Sequence, residues 1–250
     1  MIFYFTGNGN SRWVAEQVAK DTEDVAVNIA DFIKGDRTLE GLRPGDKVGL
    51  VFPVHSWYAP RVVVDFAQRL QVPEGTYRYA ICTCGDDVGK GMKRFSRHFA
   101  LQAAWSVQMP NTYIPMFNLD SKEKARKKIE KTCELIPQIA TAINLRQQIW
   151  QVREGILPRL KTYLINALFV KYSIRSKFFY VEDGCISCGI CVDTCPVGNI
   201  ELQQGAPVWH DQCVHCMGCI HTCPQSVIQY GKSTKKRGRY HLAEFLNERE

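Results

Sequence analysis

The sequence predicts an α/β chain: a doubly wound parallel sheet of strand order 2-1-3-4-5, followed by a small α+β unit. Three features predict it. Short apolar runs alternate with amphipathic helical stretches over the first 150 or so residues, the pattern of βαβ units whose sheet is covered on both faces. A glycine-rich turn, Thr6-Gly7-Asn8-Gly9-Asn10-Ser11, joins the first strand to the first helix. Near the C-terminus, eight of the chain's 11 cysteines fall in two tandem repeats.

Taken in order, residues 2–6 read as a buried strand, 11–21 as an amphipathic helix and 25–30 as a second strand. Residues 47–54 form the third strand and 59–70 a helix; 77–84 form the fourth strand, with a helix over 88–102. Residues 105–109 are the fifth strand, and 121–151 a long helix bent at Pro137. This first unit is expected to span residues 1–151. Residues 152–183 form a connecting segment in which Leu157, Leu160, Leu164, Ile165 and Leu168 keep near-helical spacing. The expectation is a helix whose apolar face docks between the two units; a helix lying on a membrane surface is the alternative. The cysteine-rich unit covers 184–231 and a basic tail 232–250.

The composition, 45% hydrophobic and 23% charged, is that of a globular protein and excludes a disordered or fibrous chain. No run approaches the roughly 18–20 apolar residues that cross a bilayer. The N-terminal Met1-Ile2-Phe3-Tyr4-Phe5 reads as a strand and not as a signal peptide, so a cytoplasmic location is expected. The net charge of +7 is uneven. Residues 185–230 hold Asp193, Glu201 and Asp211 but no Lys or Arg, whereas the flanks from Arg153 to Lys177 and from Lys232 to Arg239 are basic. Those flanks suit an acidic redox partner or anionic lipid headgroups. Nucleic acid is not expected, since no reader motif accompanies them.

The repeats are Cys185-x2-Cys188-x2-Cys191-x3-Cys195-Pro196 and Cys213-x2-Cys216-x2-Cys219-x3-Cys223-Pro224, 28 residues apart. A secreted disulfide framework would spread its cysteines through a short chain, and zinc sites usually draw ligands from separated pairs. Three thiolates at two-residue intervals wrap a cubane, and the fourth, before proline, reaches the other cluster. The spacing therefore predicts two [4Fe–4S] clusters, one on Cys185, Cys188, Cys191 and Cys223, the other on Cys213, Cys216, Cys219 and Cys195. Gly189 and Gly218 are expected to let backbone approach the clusters, and His215 and His221 to be exposed loop residues. Cys82, Cys84 and Cys133 have no partners at metal spacing. Residues 184–230 resemble a bacterial two-[4Fe–4S] ferredoxin.

Three loops follow strands in the first unit. The first is Thr6 to Ser11, whose glycines and helix-terminal amides suit a phosphate. It is neither a triphosphate P-loop nor a dinucleotide GxGxxG, since no Gly-Lys follows and Arg12 stands at the third glycine position. The second contains Pro53, Val54, His55, Ser56, Trp57 and Tyr58, and the third Thr83, Cys84, Gly85, Asp86, Asp87 and Gly89. All three fall at the carboxyl edge of the sheet, where ligands of open α/β sheets bind. In order and spacing they resemble the phosphate loop and two flavin loops of flavodoxins. The resemblance implies FMN, with its phosphate at Thr6, Asn8, Asn10 and Ser11, Trp57 over one flavin face and the third loop at the ring edge. Asp86 and Asp87 are expected to cap the following helix, and Tyr113 to be a core residue.

The whole chain thus resembles bacterial fusions of a short flavodoxin-like FMN domain with a two-cluster ferredoxin. The resemblance implies an electron-transfer protein exchanging electrons with redox protein partners. Two alternatives stay open: an FMN-dependent reductase of a small acceptor fed by the clusters, and a redox sensor.

Overall fold

The computed structural model describes residues 1–36 and 41–246. Its first unit is a six-stranded parallel sheet, β1 (Ile2–Tyr4), β2 (Ala26–Asn28), β3 (Lys47–Pro53), β4 (Tyr77–Cys84), β5 (Ala103–Gln108) and β6 (Trp150–Gln151), in the order β2-β1-β3-β4-β5-β6. The helices are α1 (Asn10–Asp21), α2 (Ile29–Ile33), α3 (Arg61–Arg69), α4 (Gly91–Phe95) and α5 (Lys122–Asn144).

Strand periodicity assigns the two faces. Phe3, Leu50, Phe52, Ala80 and Cys82 point to the face covered by α3 and α4, where they meet Val63, Ala67, Met92 and Phe95. Ile2, Tyr4, Val51, Tyr79, Ile81 and Trp105 point to the other face, under Val14, Val18, Ile129, Ile136 and Ile143 of α1 and α5. Register locks β3 to β4 from Lys47↔Tyr77 through Pro53↔Thr83. The ring of Tyr79 lies across Gly49, where a Cβ would stand 2.3 Å from the ring's Cζ; only glycine admits it.

Three elements of this unit depart from the sequence reading. The second strand, expected over 25–30, ends at Asn28, where the Asn28 side chain accepts the Ala30 amide and starts α2. The helix expected over 88–102 is the single turn-and-a-half Gly91–Phe95. The long helix ends at Asn144, with Pro137 inside it, and Arg146 turns the chain at φ 50° into β6, a sixth strand beside β5. The next two positions on the face of Ile143 are the polar Arg146 and Gln147, so a further turn of helix would bury no side chain of theirs on the sheet.

A helix spanning residues 158–172 follows, wound as a π-helix over Leu160–Ile165 and as an α-helix (α6) over Asn166–Tyr172. Its orientation reverses the expectation. Thr162 and Asn166, both polar, are its buried residues, with Phe169 half-buried against Tyr113 and His215, while Leu157, Leu160, Leu164 and Leu168 face outward. The C-terminal unit pairs β7 (Phe179–Val181) with β10 (Ile228–Tyr230), both antiparallel, and carries the hairpin β8 (Ile200–Gln203)–β9 (Ala206–Trp209). Two short helices, α7 (Ile190–Thr194) and α8 (Gly218–Thr222), hold the cysteine repeats. Its core joins Phe179, Ile200, Met217, Ile220 and Ile228 to Ile114, which comes from the loop after β5. The basic tail is folded as well: Thr234 and Tyr240 are buried, and α9 (Ala243–Leu246) packs its Phe245 and Leu246 against the α1–α5 face. Among the described residues no helix is long and apolar enough to cross a membrane.

Candidate functional site: a cysteine-lined pair of hollows beside the carboxyl edge of the sheet

The 28-residue repeat is preserved in the backbone. Ser187 and His215, Gly189 and Met217, and Gly198 and Ser226 are equivalent pairs, and every one of the six has positive φ, between 55° and 75°. Left-handed residues in a tight turn point successive amides to one side, forming a concavity for negative charge. The amides of Asn199 and His215 already donate to the sulfurs of Cys195 and Cys213, at 3.2 and 3.3 Å. The left-handed position held by Gly189 in the first repeat is held by Met217 in the second. Gly218 serves another purpose: a Cβ there would come within 2.9 Å of the Gly7 carbonyl oxygen.

The eight cysteines gather in two places. Cys185, Cys188, Cys191 and Cys223 line one hollow, walled by Leu202 and Ile228, with a volume of ≈ 360 Å³ including space open to solvent. Cys195, Cys213, Cys216 and Cys219 line a second, of ≈ 310 Å³, walled by Phe179, Ile200, Trp209 and Met217. Each hollow thus draws three cysteines from one repeat and the fourth from the other. Among the described residues no three His, Cys, Asp or Glu side chains converge as a single ion requires. A cubane takes one thiolate at each of four irons, so its ligands surround a cage instead of converging on a point. The donor set and the apolar walls fit [4Fe–4S] clusters. Burial pushes the Cys213 thiol up to about 11 and the Cys216 thiol to about 12, so bound iron would be what holds them as thiolates. Cys82 and Cys84 are buried in β4, and Cys133 lies on α5, so none of the three joins either hollow.

The two histidines expected to be exposed are buried. His215, 2% exposed, sits among the rings of Tyr113, Phe169, Phe179 and Tyr230, with the Tyr113 hydroxyl 3.1 Å from its Nδ1. His221 donates from Nε2 to the Thr112 carbonyl and accepts the Tyr240 amide at Nδ1, which fixes its tautomer. Desolvation lowers both imidazoles, His215 to about 3 and His221 to about 4. The pairing of His221 and Tyr113 with residues over a hundred positions away is a tertiary fact that sequence spacing does not encode.

The three loops do meet at the carboxyl edge of the sheet, and the rest of the chain covers them. The Cys216 carbonyl oxygen would be 2.5 Å from a Cβ on Gly7. Asn8 donates to Thr112 Oγ1 and to the Cys216 carbonyl; Asn10 donates to the Pro110 carbonyl and accepts from the Tyr240 hydroxyl at 2.7 Å. Ser11 Oγ is buried 2.8 Å from Thr83 Oγ1, and Thr6 Oγ1 accepts the Gly9 amide. In the second loop Asn166 donates to the carbonyls of His55 and Ser56, and Thr162 donates to that of Trp57. The Lys161 ammonium stands 5.3 Å from the Trp57 ring centre and pairs with Asp87 at 2.7 Å. Pro53, Val54 and Tyr58 are half-buried and Cys84 is buried. In the third loop Asp87 accepts the Gly89 amide in the turn before α4, whose N-cap is Lys90 with no side-chain cap, so neither aspartate caps that helix as expected; Asp86 is exposed, and Gly85 faces Asn111 at ordinary contact distance. The side chains that the flavodoxin resemblance assigns to an FMN phosphate are bonded within the chain, and segments 157–166 and 213–218 lie over the loops. In this arrangement the loops do not fit FMN.

Residues 170–228 match the family described as a 4Fe-4S dicluster domain. The C-terminal unit is thus similar to iron–sulfur domains of the ferredoxin type, which supports a redox role. Among solved structures, a putative flavoprotein from Bacteroides uniformis is similar at 16% identity and a TM-score of 0.37, covering 52% of this chain and 96% of that one. The Trp repressor binding protein from Bacillus subtilis is similar at 12% identity and a TM-score of 0.36, covering 55% and 95%. No curated protein matches.

Proposed function

We propose that this chain is a one-electron carrier with two [4Fe–4S] clusters, one held by Cys185, Cys188, Cys191 and Cys223 and the other by Cys195, Cys213, Cys216 and Cys219, serving redox protein partners. The observation that carries this reading is the pair of hollows, each lined by four cysteines crossed between the repeats. When bound, a [4Fe–4S] cluster supplies reversible one-electron storage at a potential set by charge, hydrogen bonds to sulfur and exposure. The residues here act on all three. Phe179, Ile200, Trp209 and Met217 line the second hollow with apolar surface, while the exposed Cys188 gives the first a route to partners. Residues 185–230 contain no Lys or Arg, and positive charge reaches the first hollow from the tail: the partly buried Arg239 guanidinium lies close enough to Cys223 for their charges to interact. A reducing compartment such as the cytoplasm suits eight unpaired thiols.

A second reading, a carrier that also holds FMN, draws support from the glycine-rich loop at the start of α1, whose first turn has no acidic residue. It requires the helix over 158–172 and the 213–218 loop to lift from the sheet edge. Anaerobic purification with iron, sulfide and flavin analysis tests both. About eight irons and eight sulfides per chain are expected with little flavin; one flavin per chain would establish the second reading, and zinc in place of iron would overturn both.

A further inference from the structure

We propose that the helix over residues 158–172 docks this protein onto an anionic lipid surface. A surface helix ordinarily turns its apolar stripe to the core and its polar side to water. This one is reversed. Thr162 and Asn166 are 0% and 5% exposed and bond to the carbonyls of Trp57, His55 and Ser56. On the opposite side Leu157, Leu160, Leu164 and Leu168 recur at three- and four-residue intervals. Leu157 is 63% exposed and Leu164 54%, with Ile156 at 80% before them and Tyr172 at 60% after. The body of the protein already satisfies the helix's polar side, so the apolar stripe is preformed and needs no folding on contact.

Charge selects the occupant. From Gly155 to Val181 the sequence has no Asp or Glu, and it carries Arg159, Lys161, Lys171, Arg175 and Lys177. Lys161 is spent on Asp87, which leaves four cations around the leucine stripe. A second copy of the chain would set this basic rim against itself. An anionic bilayer accepts the leucines among its acyl chains and the cations at its headgroups, the arrangement of interfacial amphipathic helices. The helix is too short to span, so it would lie flat.

The test is co-sedimentation of the full chain with vesicles of phosphatidylcholine alone and of phosphatidylcholine with phosphatidylglycerol. Binding to the anionic vesicles, weakened by salt, is the expected result. Leu164→Glu should reduce partitioning by at least about tenfold through lost apolar burial. Lys171→Gln and Lys177→Gln should each reduce it about fivefold. Residue 164 is exposed, so cluster absorbance and far-UV circular dichroism should match wild type in every variant. No binding to anionic vesicles, equal binding to neutral ones, or full binding by Leu164→Glu would overturn the proposal. So would a wild-type dimer in sedimentation velocity that Leu164→Glu dissolves, since the stripe would then belong to a protein interface.

Discussion

Replacing Gly7 by alanine puts a methyl group where the Cys216 carbonyl oxygen stands 2.5 Å away and the Cys216 Cβ 2.8 Å away. The obstructing oxygen belongs to backbone inside a cysteine repeat, so no flexible side chain can swing aside. Overpacking of this kind costs about 1–3 kcal/mol, and the rigid neighbour argues for the upper half, about 2–3 kcal/mol. For a chain of this size that lowers the melting temperature by about 2–4 °C per kcal/mol, or about 4–12 °C. Gly85→Ala is the control, because its nearest neighbour, Asn111 Cβ, lies at 3.6 Å, an ordinary contact. The assay is thermal bleaching of the cluster absorbance under anaerobic conditions, with circular dichroism in parallel. Gly7→Ala should melt early in both signals, and Gly85→Ala should track wild type. Equal melting of Gly7→Ala and wild type would refute the close seat of the cysteine loop on the first unit and favour an open phosphate loop.

Cys195→Ser should deplete the cluster otherwise held by the second repeat and Cys223→Ser the other, each halving the iron content, whereas Cys133→Ser should leave it intact; loss following the in-sequence repeat would exclude crossed ligation. Asn166→Ala removes donors from the His55 and Ser56 carbonyls and should cost about 1–3 kcal/mol in urea unfolding, while an unchanged midpoint would mean the helix is not held there. Burial lowers the His55 imidazole to about 4, with the Val214 backbone acting in the opposite direction. The unfolded chain, with an imidazole near the ordinary value of about 6.5, therefore binds the extra proton between those values. Stability should fall as pH drops through that window and be unaffected by this group above it. Against wild type, His55→Gln should show a shallower loss from pH 7 to pH 5, and an identical slope would count against the burial. Arg239→Gln should lower the midpoint potential of the cluster bearing Cys223 in a redox titration followed by electron paramagnetic resonance, since it removes a cation that interacts with Cys223; an unmoved potential would rule out that influence.

Much of this protein is local and therefore legible in its sequence. Alternation of Ile2, Phe3 and Tyr4, or of Tyr79, Ala80 and Ile81, assigns each side chain to a sheet face with no knowledge of the partner helix. The cysteine spacing specifies iron–sulfur chemistry because the ligand loop wraps its cluster within a dozen residues. Local pattern did not reveal β6, whose two residues gain their place only from the edge of β5. Nor did it reveal the burial of His215 and His221, whose partners Tyr113 and Thr112 lie over a hundred residues away. The carboxyl edge of the sheet shows the difference most clearly. Its three loops resemble those of a ligand site in sequence, yet hydrogen bonds from Asn166, Thr162 and Tyr240 and the approach of Cys216 to Gly7 cover that edge with the chain itself. Whether a helix buries its polar or its apolar side depends on which partner offers unsatisfied carbonyls. The carbonyls of His55, Ser56 and Trp57 meet Thr162 and Asn166 only once the tertiary fold has formed.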